Sequence, residues 1–449
     1  MPERDDPRQS RLEPQQSDAD ADASAQLDGA SAAAGAPVGP LASASFTGTR
    51  RTDTLTPSAS ASPLARAALA GLIVSFALMV AGNGLFQTIV PLWVLDTGHS
   101  TLLIGLIQSC YYAGFIAGAL VNRVLIHRIG QHRTFVAYAA AAAILALAFG
   151  QSHSPTAFAL VRAISGFVFM GLYGSCESWL NSYAGNEKRG QLFGIYSTIN
   201  YLSLGSGQFL IKLQNGFSVQ QFTVAAALFA SAVIPATLLS GGEKREAAPP
   251  PSMPAVNWKT SLGEMLRDSP LAIPGGILTG FLYSSFYSLA PVYLVGNGFS
   301  TADLSVFMGV ALIVALLPQW PMGRLSDRID RRRLLSGVAL LSAAMSAALL
   351  VSSTRSVIWC AMLAYVAVTF TLYGVVISHV QDCTQARYRL SMSITLLVLF
   401  SFGGMTGPAL ASLAMTLIGP SGFFVFNLCS CVLLAWAARA VGRPPSRNA

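Results

Sequence analysis

Gly323-Arg324-Leu325-Ser326-Asp327-Arg328-Ile329-Asp330-Arg331-Arg332-Arg333 packs five arginines and two aspartates into eleven residues. Apolar chain flanks it on both sides, residues 302–322 before it and 334–353 after it. Each flank approaches the roughly 20 apolar residues that a helix needs to cross a bilayer. A cationic connector between two such runs reads as a short turn at one membrane face, because Lys and Arg collect on the cytoplasmic side. In hydrocarbon a spanning segment must satisfy its own backbone groups, so both runs are predicted to be helices.

The same alternation covers most of the chain. Of 449 residues, 53% are apolar and 11% charged, against roughly a quarter charged in soluble domains. This composition points to a polytopic membrane protein and argues against a soluble enzyme, a nucleic-acid binder or a disulfide scaffold. Twelve spans are predicted, at 67–94, 102–121, 134–151, 157–179, 190–213, 221–240, 271–294, 302–322, 334–353, 357–379, 391–416 and 421–440. Residues 1–65 are a different material, rich in Ala, Ser, Asp and Pro, with nine acids against five bases. They read as a disordered cytoplasmic tail. The tail lacks an early apolar run, so it is no signal peptide, and its acids disfavour a mitochondrial transit peptide. A Pro-rich start followed by a short amphipathic piece makes 241–270 a cytoplasmic linker. It divides the bundle into 66–240 and 271–441, six spans each, with 442–449 as a second cytoplasmic tail. An N-in, C-in orientation places 22 of the 28 Lys and Arg in cytoplasmic segments beside the spans, and only Lys212 and Arg355 opposite.

The halves repeat. At a shift of 200 residues, 91–133 lies over 291–333 with eight identities, among them Pro91/Pro291, Gly98/Gly298, Ser100/Ser300, Arg128/Arg328 and Arg133/Arg333. Chance gives roughly three. Two parallel six-span repeats are a transporter architecture with the cargo site between them near mid-membrane. No GxxxxGK[ST] segment offers an ATP engine, so work must come from a gradient. The six cysteines show no CxxC pair and the histidines no HExxH pair, so neither a metal nor another cofactor is expected.

Charged residues inside the spans are few. Arg162, about five residues into span 4, must face an interior cavity or snorkel outward. Cavity-facing, it would hold an anionic cargo group or control a proton-carrying acid. Glu177 is the single acid within a predicted span and lies about 22 Å along the helix from Arg162, too far to pair. It reads either as a gate partner or as a coupling carboxylate. Polar residues concentrate in spans 1, 2, 4, 5, 7, 8 and 10: Asn83, Gln87, Gln108, Tyr111, Tyr173, Asn200, Tyr201, Gln208, Tyr283, Tyr287, Gln319, Tyr365 and Tyr373. Each is either a cargo contact or a helix-packing hydrogen bond.

The 323–333 segment resembles the signature loop of the major facilitator superfamily, G-x-L-x-D-R-x-G-R-R, with Asp330 where that family usually has Gly. The resemblance implies a gate. Gly323 would let two helices approach. Asp327 would accept hydrogen bonds from a helix N-terminus of the other half, and Arg328, Arg331 and Arg332 would pair with acids when the cytoplasmic side closes. The first-half loop keeps Arg128 and Arg133 but has Arg123 for the Gly and His127 for the Asp. Glu177 is the candidate to supply its missing negative charge. Arg162-Ala-Ile-Ser-Gly166 resembles the family's R-x-x-x-G element. Phe86 to Trp93, Tyr112 to Gly118, Cys176 to Trp179 and Gln319 to Leu325 are similar to a YcaD-like branch of the family.

These readings imply a twelve-helix, two-bundle transporter of the bacterial inner membrane working by alternating access. Its expected partners are a small organic solute, the lipid bilayer and protons, with no nucleic acid, and it is expected to act as a monomer. Export is favoured over uptake, and Arg162 favours an anionic or zwitterionic cargo. The cavity set is Asn83, Gln87, Gln108, Tyr111, Arg162, Tyr173, Asn200, Tyr283, Tyr287 and Tyr373. The gate set is Arg128, Arg133, Glu177, Gly323, Asp327, Arg328, Arg331 and Arg332, with Glu177 also the candidate for proton coupling. The rival readings are a membrane sensor signalling through residues 1–65, and a lipid flippase.

Overall fold

The computed structural model describes residues 63–183, 189–213, 216–239, 258–352, 354–384 and 389–440. The expected N-terminal tail up to residue 62, the linker up to residue 257 and the tail 442–449 lie outside the described residues. Among those described, eleven helices are long and apolar enough to cross a membrane. The twelfth expected span, Arg189–Gln208, is more polar and is prolonged by a 3-10 turn, Phe209–Leu213.

Spans 1 to 4 are Pro63–Asp96, Thr101–Ile129, Gln131–Gln151 and Pro155–Tyr183. Span 5 is Arg189–Gln208 and span 6 Val219–Leu239. The amphipathic piece expected in the linker is a helix, Trp258–Asp268. Span 7 is Ala272–Gly296, span 9 Arg331–Val351, span 11 Arg389–Ile418 and span 12 Gly422–Ala440. Spans 8 and 10 are each two helices, Thr301–Val314 with Gln319–Arg328, and Arg355–Thr369 with Leu372–Cys383.

Local chemistry sets the ends. Ser100 caps span 2 and Ser300 caps span 8, where Asp303 returns the bond to complete a capping box. Just before them Gly98 and Gly298 take φ of 83° and 76°, a conformation side-chain-bearing residues avoid. The 200-residue repeat is therefore a repeat of turn geometry as well as of letters. Asp330 explains its departure from the family Gly. Its Oδ1 accepts the N–H groups of Arg332 and Arg333 at 3.0 and 3.1 Å and so caps span 9. At the counterpart position Gly130 takes φ 94° and supplies no side-chain cap.

Close approach between helices rests on small residues, as is usual where lipid offers no hydrophobic driving force. A methyl group added at Gly114 would strike the Ala163 carbonyl, and one at Gly166 the Tyr111 carbonyl, so spans 2 and 4 are knit at both places. The halves meet along two seams, span 2 with span 11 and span 5 with span 8. Gly404 lies against the Tyr112 ring, Gly105 against Pro408 and Ser412, and Gly309 against the Phe209 ring. Ser305 Oγ donates to the Gln208 carbonyl at 2.7 Å. The last three contacts lie in the parts of the spans remote from the arginine-rich loops and the first near mid-span, so the halves meet from mid-span to that far end. Ile144, Leu238 and Leu417 are among the large apolar side chains left exposed, as lipid-facing residues must be.

Candidate functional site

Span 4 carries Arg162 seven residues beyond Pro155, about 10 Å of helix rise from the far end. Its side chain is 0% exposed, which settles the choice between snorkelling and the interior in favour of the interior. Span 1 brings Gln87 to it and span 2 brings Gln108. Nη2 donates to Gln87 Oε1 at 2.7 Å and to Gln108 Oε1 at 2.6 Å. The guanidinium lies 4.4 Å from the Tyr111 ring centroid and 5.4 Å from that of Phe86, within cation–π range. No carboxylate neutralises it, since the ion pairs among the described residues all belong to Arg331. Nε and Nη1 have no partner, and neither has the Tyr111 hydroxyl. Nε and Nη1 are thus buried donors on two different edges of the guanidinium, each able to bind an oxygen of a carboxylate or phosphate, while Nη2, shared by both edges, is held by the glutamines.

The remaining cavity residues fall into separate groups. Asn83 Nδ2 donates to Tyr173 Oη at 3.3 Å, while Asn83 Oδ1 and Asn200 Oδ1 are buried without partners. In the second half the Tyr283 ring stacks on Phe370 at 4.2 Å and its hydroxyl donates to the Phe370 carbonyl. Tyr373 packs on Phe400 at 4.7 Å, and the buried Tyr287 hydroxyl has no partner. None of these three tyrosines hydrogen-bonds to Gln87, Gln108 or Arg162.

At the arginine-rich end the gate residues pair within their own half in this conformation. Arg331 Nε pairs with Asp382 Oδ2 at 2.9 Å, and Arg331 Nη2 with Asp327 Oδ1 at 3.5 Å. Arg332 donates to the Ala438 carbonyl at 3.1 Å and 3.2 Å. All these partners lie in the second half, so in this conformation the loop is fastened to its own bundle, with no ion pair to the other half among the described residues. Gly323 likewise faces open space where a tight helix approach was expected. Arg128, Arg133 and Arg328 are exposed and make no ion pair among the described residues.

The first half repeats these contacts in neutral form. Gln131, the counterpart of Arg331, accepts from Ser178 Oγ on span 4 at 2.8 Å. His132, the counterpart of Arg332, reaches the Ala236 carbonyl at the end of span 6 at 3.0 Å. In this conformation hydrogen bonds stand where the second half has an ion pair, and Glu177 makes no ion pair among the described residues. Glu177 is buried, 4% exposed, and Oε1 accepts from Tyr196 Oη at 3.4 Å. Tyr196 in turn stacks on Phe76 at 4.3 Å.

Sequence reasoning missed Asp382, Ser178 and Gln131. The signal for Asp382 was an acid just past the predicted end of span 10, at the end crowded with arginines. Asp330 lies outside the spans, and the backbone N–H of Arg333, aided by that of Arg332, holds its carboxyl below the usual range. An open cavity of about 320 Å³ beside the loop is lined by Ser326, Asp327, Arg331, Arg332, His379 and Asp382.

Comparison with known proteins agrees with this architecture. Residues 72–398 match the family model described as Major Facilitator Superfamily. A protein of Salmonella typhi named "Uncharacterized MFS-type transporter YcaD" is 25% identical over 378 residues, covering 84% of this chain and 96% of the relative. Its namesake in Salmonella typhimurium shows the same identity and coverage. Among solved structures, an inward-facing, unoccupied bacterial homologue of the human lysosomal transporter Spinster gives a TM-score of 0.71 at 14% identity, covering 85% of this chain and 96% of that one. The nucleoside transporter NupG gives 0.67 at 15% identity, covering 83% and 98%. A D-xylose–proton symporter gives 0.60 at 16% identity, covering 86% and 99%. At these identities the structures speak to the fold alone.

Proposed function

The chain belongs to the Major Facilitator Superfamily, and from that premise we propose that it moves a small anionic or zwitterionic solute across the bacterial inner membrane by alternating access. It is a multi-pass membrane transporter and not an enzyme. The observation that carries the cargo class is Arg162: fully buried, without a carboxylate, and with Nε and Nη1 unpartnered. Uncompensated buried charge is costly, and an anionic guest relieves it. Gln87 and Gln108 hold the guanidinium by Nη2 and leave Nε and Nη1 for cargo, and the Tyr111 and Phe86 rings wall the site.

The two six-span halves, 66–240 and 271–441, rock about this site. The seal at the far end supports a state in which cargo exchanges from the arginine-rich end, the cytoplasmic side of an N-in, C-in molecule. Glu177 carries the coupling proton. Glu177, 4% exposed and accepting a bond from Tyr196 Oη, is an acid within the spans that can exchange a proton with water as the halves move. Export, driven by proton entry, is the direction proposed for a chain acting as a monomer.

Heat-stability measurements on the purified chain test the cargo class, since a ligand that binds only the folded state raises the melting temperature. Small carboxylates and phosphates are expected to stabilise the native chain and to lose that effect in Arg162→Ala. Equal stabilisation by neutral or cationic solutes, unchanged in the variant, overturns the assignment.

A further inference from the structure

Spans 8 and 10 are broken near mid-length, whereas their counterparts 200 residues earlier run unbroken. Span 2 is one helix from Thr101 to Ile129 and span 4 one helix from Pro155 to Tyr183. In span 8, residues 315–318 form turns between Thr301–Val314 and Gln319–Arg328. Pro318 accounts for this break, having no N–H and clashing with the carbonyl four residues back. The chain tightens instead, with Leu316 and Leu317 N–H bonded to the Ile313 and Val314 carbonyls. In span 10, Thr371 Oγ1 donates to the Val368 carbonyl at 2.7 Å, a side-chain bond that competes with the helix ladder.

Carbonyls released inside a membrane need donors. Gln319 reaches both breaks, sharing the Phe370 carbonyl with the Tyr283 hydroxyl. Gln319 Nε2 lies 3.1 Å from the Ala315 carbonyl, 3.2 Å from the Phe370 carbonyl and 3.4 Å from Tyr201 Oη of span 5, in the other half. An amide nitrogen has two hydrogens, so it cannot serve three acceptors at once. The two sides of the span 8 break also differ in their neighbours. Thr301–Val314 packs on span 5, but Gln319–Arg328 rests chiefly on spans 9 and 10 of its own half, with Leu317 and Trp320 beside the break exposed by 69% and 67%.

We infer that Gln319 is a positioning residue for alternating access, acting through a hinge made of the two breaks. The lower segment of span 8, which carries the arginine-rich loop, swings within its own half, while spans 2 and 4 move as straight rods. Gln319 divides its two hydrogens between bracing the hinge and holding Tyr201. This inference rests on the alternating-access reading proposed above.

Spin-label distances in the full chain, with its six cysteines replaced, test it. Gly296→Cys with Arg328→Cys spans the hinged half, and Asp96→Cys with Arg128→Cys is the pair 200 residues earlier; all four positions are exposed. The second-half pair is expected to show two distances and the first-half pair one. Gln319→Leu unbraces the hinge and shifts the ratio of the two distances about threefold, the effect of one interhelical hydrogen bond. Tyr201→Phe leaves Gln319 to the breaks and shifts the ratio the opposite way. A single second-half distance, or variants that shift the ratio in the same direction or not at all, overturns the inference. Should cysteine replacement prevent folding, amide exchange on the native chain decides. Residues 315–317 and 370–371 are expected to exchange faster than 115–117 and 170–171, and equal rates reject the hinge. Neither readout requires cargo, so failure here leaves the transporter reading standing, and failure to transport leaves the hinge measurable.

Discussion

At Arg162 a buried guanidinium leans on two neutral amides and two rings, and two of its donors stay open. A hydrogen bond to a charged group contributes about 1.5–3 kcal/mol. Arg162→Ala is therefore expected to weaken anion affinity about tenfold to a hundredfold, and Arg162→Lys to fall between, keeping the charge but losing the separate Nε and Nη1 donors. Ligand titration of heat stability measures both. Asp330 makes a second residue-scale case. Its removal as Asp330→Ala is expected to cost about 1 kcal/mol through the lost cap of span 9. Because folding depresses the Asp330 carboxyl, its contribution is fully present above its unfolded value near 3.9 and fades as pH falls through the lower folded value. The stability gap between native chain and variant should be flat from about pH 5 to 7 and close below about pH 4; a gap unchanged in acid contradicts the cap. Arg162 was legible in the sequence because a charge in an apolar run has few places to go. Asp330 was legible only as an odd letter, since capping depends on the backbone angles of the turn.

The spanning helices were readable from hydropathy alone, because a backbone in lipid has no alternative to the helix. Their interruptions were not. Hydropathy runs on through 315–318 and 370–371, and Pro318 was the one mark on the sequence. The gate was half legible. The arginines stood out, but their partners Asp382 and the Ala438 carbonyl lie 51 and 106 residues away along the chain and come together only through packing. Between spans 2 and 4 the fit depends on Gly166 meeting the Tyr111 carbonyl. Gly166→Leu overfills that contact and is expected to cost about 1–3 kcal/mol while displacing Arg162 from Gln108. A melting measurement with anion titration should show lower stability and lost anion response together; a fully stable, anion-responsive variant contradicts the packing account. Glu177 belongs to this scale because it acts from within the contact of spans 4 and 5. Glu177→Gln fixes the neutral form and is expected to leave cargo binding intact but make transport indifferent to pH. Transport that keeps its pH dependence removes Glu177 as the proton carrier.

For the whole molecule, two similar halves pack along two seams running from mid-span to the far end and fasten the arginine-rich loop inside the second half. Pseudo-symmetry was visible as a 200-residue shift, and the structure shows where it fails: charged contacts become neutral ones in the first half, and straight spans become broken ones in the second. That division of labour fits one half that holds the cargo through Arg162 and another that bends around it. The most direct test compares solutes inside and outside cells that lack the chain, overproduce it, or overproduce Arg162→Ala, with the proton gradient imposed or collapsed. The account predicts an anionic or zwitterionic solute depleted inside and enriched outside on overproduction, only with the gradient and only with Arg162 intact. No reproducible difference in any solute, or one that persists in Arg162→Ala, contradicts it.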